Sequence, residues 1–207
     1  MQRIRISYQK GPELQYTGNL DMHKVWERTF RRATLPLAYS QGFHPQPKIQ
    51  QAAPLPLGFT SLSEMLDVWL DTYEDLESIN EKLINTAQPG IKVNQIQGIP
   101  VSSEALPTMV LAVEYQIYFD DSPAVTELES KVKNFLARET IERERRCKKY
   151  DLQPLVEELI VEEKPQVSLH MRLTSLPSAT GRPEEVLEEL AIDPFTVDIE
   201  RTDLIFK

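Results

Sequence analysis

With 207 residues, 41% of them hydrophobic and 27% charged, the chain has the composition of a globular protein of one large or two small domains. Its apolar runs are too short for a membrane-spanning helix. The net charge of −9 argues against a general nucleic-acid binder, but the charge is uneven: residues 1–60 carry eight Lys or Arg against three acids, +5, leaving −14 on the remainder. The single Cys147 excludes an internal disulfide and any cysteine-rich metal or iron–sulfur site, and His23, His44 and His170 show no metal-ligand spacing. No phosphate-binding glycine loop, dinucleotide fingerprint, zinc-protease motif or nucleophile elbow occurs. No apolar signal core follows Met1, so a cytoplasmic location is expected.

In chain order, Arg3-Ile4-Arg5-Ile6-Ser7-Tyr8 alternates as a strand with Ile4 and Ile6 on one face. A helix over residues 20–33 follows, with Asn19 as its expected N-cap. Residues 48–53 and 65–71 read as strands, the second burying Leu66, Val68 and Leu70. Thr72 is expected to cap a helix carrying Leu76, Ile79, Leu83 and Ile84, which Pro89-Gly90 stops, and residues 91–99 form a fourth strand. The polar stretch 100–107, bounded by prolines, marks the expected boundary between a domain at 1–100 and another at 107–207. Beyond it the order begins again: a strand at 110–119 with Leu111, Val113, Tyr115 and Ile117 on one face, then a helix from Pro123 with Val125, Leu128, Val132, Phe135 and Leu136 as its stripe. A short exposed strand at 140–147, strands at 155–161 and 167–174, a helix opened by Pro183 and a strand at 195–206 complete the chain. Both halves approximate βαββαβ, so the expected fold is α+β, two ferredoxin-like domains in tandem.

Residues 19–48 concentrate the unusual features. Met22, Trp26, Phe30 and Ala33 recur at helical spacing, while Lys24, Arg28, Arg31 and Arg32 cluster opposite them. The loop that follows holds Pro36, Pro45 and Pro47, which stiffen the backbone, and Gly42, suited to a turn. Tyr39, Phe43 and His44 lie on this loop beside the cations, the combination that base stacking with phosphate neutralisation requires. The alternative for each aromatic is a plug in the core beneath the loop.

The run RRATLPLAYSQGFHPQPKI, with LDMHKVWER before it and APLPLG and SEMLDVWL after it, resembles the radical-SAM-linked protein family, a domain of unknown function found beside or fused to radical SAM enzymes. Asp21, Arg28, Arg31, Arg32, Ser40, Gly42, Phe43, Pro45 and Pro47 match. The chain departs from it at Gly18-Asn19-Leu20-Asp21, where the family commonly has Ser-His-Leu-Asp, so no role of that histidine carries over. The resemblance implies a radical SAM enzyme as partner, with the iron–sulfur cluster and S-adenosylmethionine on that partner and no cofactor on this chain.

The expected function is accordingly that of a non-catalytic accessory protein holding an RNA substrate. Lys24, Arg28, Arg31, Arg32 and Lys48 would meet phosphates, and Tyr39 and Phe43 bases, with Ser40 and His44 beside them. A second cluster, Arg143, Arg145 and Lys148, would add contacts; alternation puts the two arginines on one strand face and Glu142 and Glu144 on the other. Its alternative is a charged, solvated edge strand. Two other classes stay open. The same element could dock the radical SAM domain without nucleic acid, or His44, whose ordinary pKa lies near neutrality, could cleave RNA. The last reading draws on a fold-level likeness to the CRISPR RNA-processing endonucleases. No membrane partner is expected.

Overall fold

A computed structural model describes residues 1–207 as an α+β protein of two compact units, Met1–Val110 and Leu111–Lys207. In the first unit, β1 (Gln2–Lys10) leads to α1 (Asn19–Arg32), β2 (Ile49–Gln51), β3 (Thr60–Leu70), α2 (Leu76–Thr86), β4 (Ile91–Ile99) and the single turn α3 (Leu106–Met109). The strands pair antiparallel in the order β2-β3-β1-β4, with Ile4 opposite Val68 and Ile6 opposite Ile96. Alternation therefore sends Ile4, Ile6, Tyr8, Leu66, Val68 and Leu70 to one face, where Met22, Trp26 and Phe30 of α1 and Ile79 and Leu83 of α2 cover them. Trp26 sits at the centre, edge-on to Tyr8 at 4.7 Å and stacked on Phe30 at 5.2 Å between centroids.

The opposite face of this sheet carries charge. Asp67, fully buried, accepts from Arg3 at 2.6 Å and from Arg5 at 2.8 Å, and Arg3 stacks over Trp69 at 4.6 Å. The stretch expected to be a linker closes over this cluster. Arg3 donates to the carbonyls of Ser103 (2.6 Å) and Glu104 (2.8 Å), and Leu106, buried, donates its N–H to Gln50 Oε1 at 3.0 Å. Two guanidinium groups on one carboxylate satisfy charges that could not otherwise lie so deep.

The second unit runs β5 (Val110–Phe119), α4 (Val125–Leu136), β6 (Glu142–Arg145), β7 (Lys148–Asp151), β8 (Val156–Glu162), β9 (Ser168–Leu176), β10 (Ala179–Thr180), α5 (Pro183–Glu189) and β11 (Val197–Phe206). Its strands follow the order β8-β9-β5-β11, with β10 on β9, and β6 and β7 form a separate hairpin. Val113, Tyr115 and Ile117 face Leu173, Met171 and Leu169 across β5 and β9, and Leu128, Val132, Phe135, Val186 and Leu187 supply buried helix positions.

Several expected boundaries move. Gly18, not Asn19, caps α1, and Asn19 is its first residue. Asp75, not Thr72, caps α2, its carboxylate accepting from Ser78 N at 3.1 Å. The side chain of Gln2 binds both the N–H and the carbonyl of Glu74, just before the cap. Strand 48–53 shrinks to Ile49–Gln51, whereas β3 begins five residues earlier than the expected 65, at Thr60. Leu111, Leu136 and Ile84 are exposed rather than core, and Phe195 stands outside the last strand, 96% exposed. The single strand expected at 140–147 is instead the hairpin β6–β7, turning at Arg146 and Cys147, both with positive φ. No helix is long and apolar enough to cross a membrane.

Candidate functional site

The loop between α1 and β2 is built as a closed projection. Ala38 N donates to Trp69 O, Lys48 N to Ala38 O and Trp69 N to Lys48 O, at 2.8, 2.8 and 3.1 Å, tying both ends of the loop to β3. Tyr39 bridges Pro47, and Ser40 and Gln46 exchange two bonds: Ser40 N to Gln46 O (2.8 Å) and Gln46 N to Ser40 Oγ (3.0 Å). Residues 41–45 are left as a tip with every side chain exposed. Gly42 adopts φ +136°, a conformation that a side chain would strain. Phe43 is fully exposed and does not take the alternative of a core plug, while Tyr39 packs partly on the core. An aromatic held wholly in solvent by a hydrogen-bonded loop is available for a partner.

The cations fare unevenly. Lys24 pairs with Asp21 at 3.1 Å and Arg31 with Glu27 at 2.7 Å, and Arg31 also donates to the Tyr39 hydroxyl at 3.2 Å, fastening the loop to α1. Arg32 donates to the carbonyl of Thr86 at 2.7 Å, closing the end of α2. The cluster of four cations on α1 is thus half neutralised by acids of its own helix, Asp21 and Glu27. Arg28, exposed, and Lys48, half-buried, make no side-chain hydrogen bond or ion pair, and neither does the exposed His44, so no partner orients its imidazole. Of the remaining cations before residue 60, Lys10 is buried against the carbonyls of Gln15, Thr17 and Phe59.

The second cluster is held within the second unit. Arg143 reaches Glu188, and Glu189 at 2.9 Å; Arg138 reaches Glu189 at 2.5 Å; Arg145 grips both oxygens of Glu185 at 2.7 Å and lies over the Tyr150 ring at 5.0 Å. The expected alternation along β6 holds, but it aims the arginines at the acids of α5 instead of leaving them for phosphate. Arg138, and then Arg143, hold the Glu189 carboxyl below its ordinary value against the opposing effect of burial. Burial pushes Glu184 the other way, and its Oε2 has no hydrogen-bond partner. Lys148 is exposed and unpaired, and His170 lies beside Glu158 at 3.4 Å on the sheet. No group of three or more His, Cys, Asp or Glu side chains converges to hold a metal.

A family model described as "Uncharacterized protein conserved in bacteria (DUF2344)" matches residues 3–183. The chain belongs to that family. No curated protein matches it. Among solved structures it is similar to a chain of a Cbf5-Nop10-Gar1 complex (TM-score 0.48, 10% identity, 98% of this chain and 48% of that one). It is also similar to a chain of an archaeal box H/ACA sRNP Nop10-Cbf5 complex (TM-score 0.40, 9% identity, 97% and 46%). A third likeness is to a putative glycine cleavage system transcriptional repressor (TM-score 0.30, 13% identity, 100% and 98%). The chain spans about half the length of the first two.

The DUF2344 match encloses the whole loop and the β6–β7 hairpin but ends before Glu185, Glu188 and Glu189. Sequence reasoning missed two features of this chain: the Arg3–Arg5–Asp67 cluster, and a cleft between the start of α1 and β2. Alternation along 3–8 and 65–70 carried part of the first signal, since it puts both arginines on one face and Asp67 on the polar face of its own strand. Only the register that sets Arg5 opposite Asp67 joins them.

Proposed function

We propose that this chain is a non-catalytic companion of a radical SAM enzyme and holds that enzyme's RNA substrate. The observation that carries the reading is Phe43, fully exposed on a loop that two Ser40–Gln46 hydrogen bonds close and that Arg31 fastens to α1. Ordering a flexible aromatic on binding costs conformational entropy, and a loop already closed avoids most of that cost. Arg28 on α1, the helix to which the loop is fastened, and Lys48 at the loop's end supply unpaired charge, so stacking and phosphate contact can act together. The association with radical SAM chemistry rests on the resemblance of the 20–49 run. Two ferredoxin-like domains in tandem is the finer form of the fold we adopt; its support is that strand order β2-β3-β1-β4 recurs as β8-β9-β5-β11, with a helix in the corresponding connections.

A second reading has its own support. Lys24, Arg31 and Arg32 are engaged within the chain, which suits a loop that docks a protein through Phe43 without nucleic acid. Single-stranded RNA binding by the full chain, followed by fluorescence anisotropy across a salt series, separates the two. Under the RNA reading affinity falls as salt rises, Arg28→Glu weakens it about tenfold or more, and Phe43→Ala weakens it by roughly 1–3 kcal/mol, the worth of one stacked base. Absence of RNA binding, with salt-insensitive capture of a radical SAM protein that Phe43→Ala abolishes, would establish docking instead.

A further inference from the structure

The first unit holds a cleft of about 360 Å³ to which nothing so far assigns a role. It is lined by Asn19 and His23 from the first turns of α1, by Gln50 and Gln51 of β2, and by Pro54 and Pro107, which add apolar surface. No Asp, Glu, Lys or Arg lines it. The side chains of Asn19, His23 and Gln51 make no hydrogen bond within the protein, and none of the three is exposed. Gln50 is held in place by accepting from Leu106 N at 3.0 Å, which leaves its amide NH₂ free.

These groups define the ligand by exclusion and by fit. No ionised side chain lines the cleft to pair with a phosphate, carboxylate or ammonium group, whose burial would be costly, and an anion would meet only the partial charge at the start of α1. The carboxamides of Asn19 and Gln51 each offer a donor and an acceptor side by side, the pairing that Asn and Gln make with the N6 and N7 positions of adenine, and imidazole can serve as either. Prolines give flat apolar contact to the faces of a ring, as unstacked bases need. The volume lies near the small end of ligand pockets, about 300 Å³, and suits one heterocycle rather than a folded partner. The cleft also follows directly on the loop: Lys48 and Gln51 are three residues apart, roughly 10 Å along a strand.

We propose that this cleft receives a single unstacked nucleobase, adenine by preference, from an RNA strand whose backbone passes Lys48 and the Phe43 loop. The inference rests on the RNA reading of the loop and deepens it by naming where base identity is read. Anisotropy of the full chain with labelled rA12 and rU12 at fixed salt tests it, in the natural protein and in Asn19→Leu/Gln51→Leu. The expected result is a preference for rA12 of about tenfold, the effect of one good bidentate contact, that the double variant loses while rU12 affinity and its salt dependence stay the same. Gln51→Glu, which keeps the side-chain size and removes the amide donor, is expected to lose the preference too and serves if the double variant does not fold. RNA binding with no preference for rA12, or with a preference that these variants keep, overturns the cleft and leaves the RNA reading intact. Absence of binding to either oligonucleotide overturns the RNA reading. A titration of free adenosine followed by amide chemical shifts then decides the cleft alone: shifts at Asn19, His23 and Gln51 support it and their absence overturns it.

Discussion

Asp67 holds two guanidinium groups on one fully buried carboxylate, and Arg3 beside it is 2% exposed. Removing the negative charge strands the Arg3 guanidinium away from water and leaves Arg5, 11% exposed, without its partner, a loss of about 3–5 kcal/mol for a buried pair. Asp67→Asn, which keeps the volume, is therefore expected to lower the unfolding free energy by about 3 kcal/mol or more in urea melts. Gly42 makes the opposite kind of prediction. Its φ of +136° with open space around it means that Gly42→Ala meets no clash, only backbone strain of about 1–3 kcal/mol confined to the loop tip. That variant should lower the unfolding free energy by no more than this strain and also lose partner affinity, effects that urea melts and anisotropy read separately. At this scale the sequence was deceptive about charge. Arg3 and Arg5 count as surface cations in any composition, and only the pairing of β1 with β3 reveals that a carboxylate neutralises them. It was deceptive about Phe43 as well, because a phenylalanine between turn residues is compatible with either a plug or a projection.

The hairpin of β6 and β7 meets α5 through charge: Arg138, Arg143 and Arg145 from or beside the hairpin against Glu185, Glu188 and Glu189. Partly exposed pairs each contribute little, about 0–1 kcal/mol, so the contact is a network sensitive to pH and salt. The sign follows from Glu189, whose carboxyl is held below its ordinary value of 4.5 by Arg138 and then Arg143. A lowered folded-state value gives stability that is present above about pH 4.5 and lost as the pH falls through the folded value. Glu184, raised by burial, works oppositely: its contribution is present below its ordinary value and fades as pH rises. Amide protection factors within β6, β7 and α5, corrected for the intrinsic pH dependence of exchange, should fall on acidification below about pH 4.5, and Glu189→Gln should remove part of that acid dependence. Helices α1, α2, α4 and α5 were legible because apolar residues recur at 3.6-residue spacing, and long strands such as β4 and β5 because their residues favour sheet. The hairpin was not, since Glu-Arg-Glu-Arg alternates as one strand and the turn at Arg146-Cys147 contains neither glycine nor proline.

Across the whole molecule the +5 of residues 1–60 is less available than it looks. Arg3, Arg5 and Lys10 are buried or nearly so, Lys24 and Arg31 face acids on their own helix, and Arg32 closes α2. Arg28 and Lys48 remain. Each phosphate contact on a single strand contributes about −0.7 to the slope of log affinity against log salt. The natural protein should therefore give a slope of about −1.4 through this element, and Arg28→Glu should halve it or more. A slope near −3.5 would mean that Lys24, Arg31 and Arg32 also release their intramolecular partners. The basic run was legible in sequence, but which of its charges stay free depends on acids at i−3 and i−4 and on a helix end brought close by the fold.

The grip of Arg3 on the carbonyls of Ser103 and Glu104 joins residues 100 and 101 positions apart. All four strands of the first unit have been made by Ile99, before those carbonyls exist to be bound. The strands are thus specified by a shorter stretch than the cover of their charged face, which needs the chain through Leu106. A chain ended after Ile99 would keep all four strands and leave Arg3 open to water, whereas one extended through Leu106 would seal it.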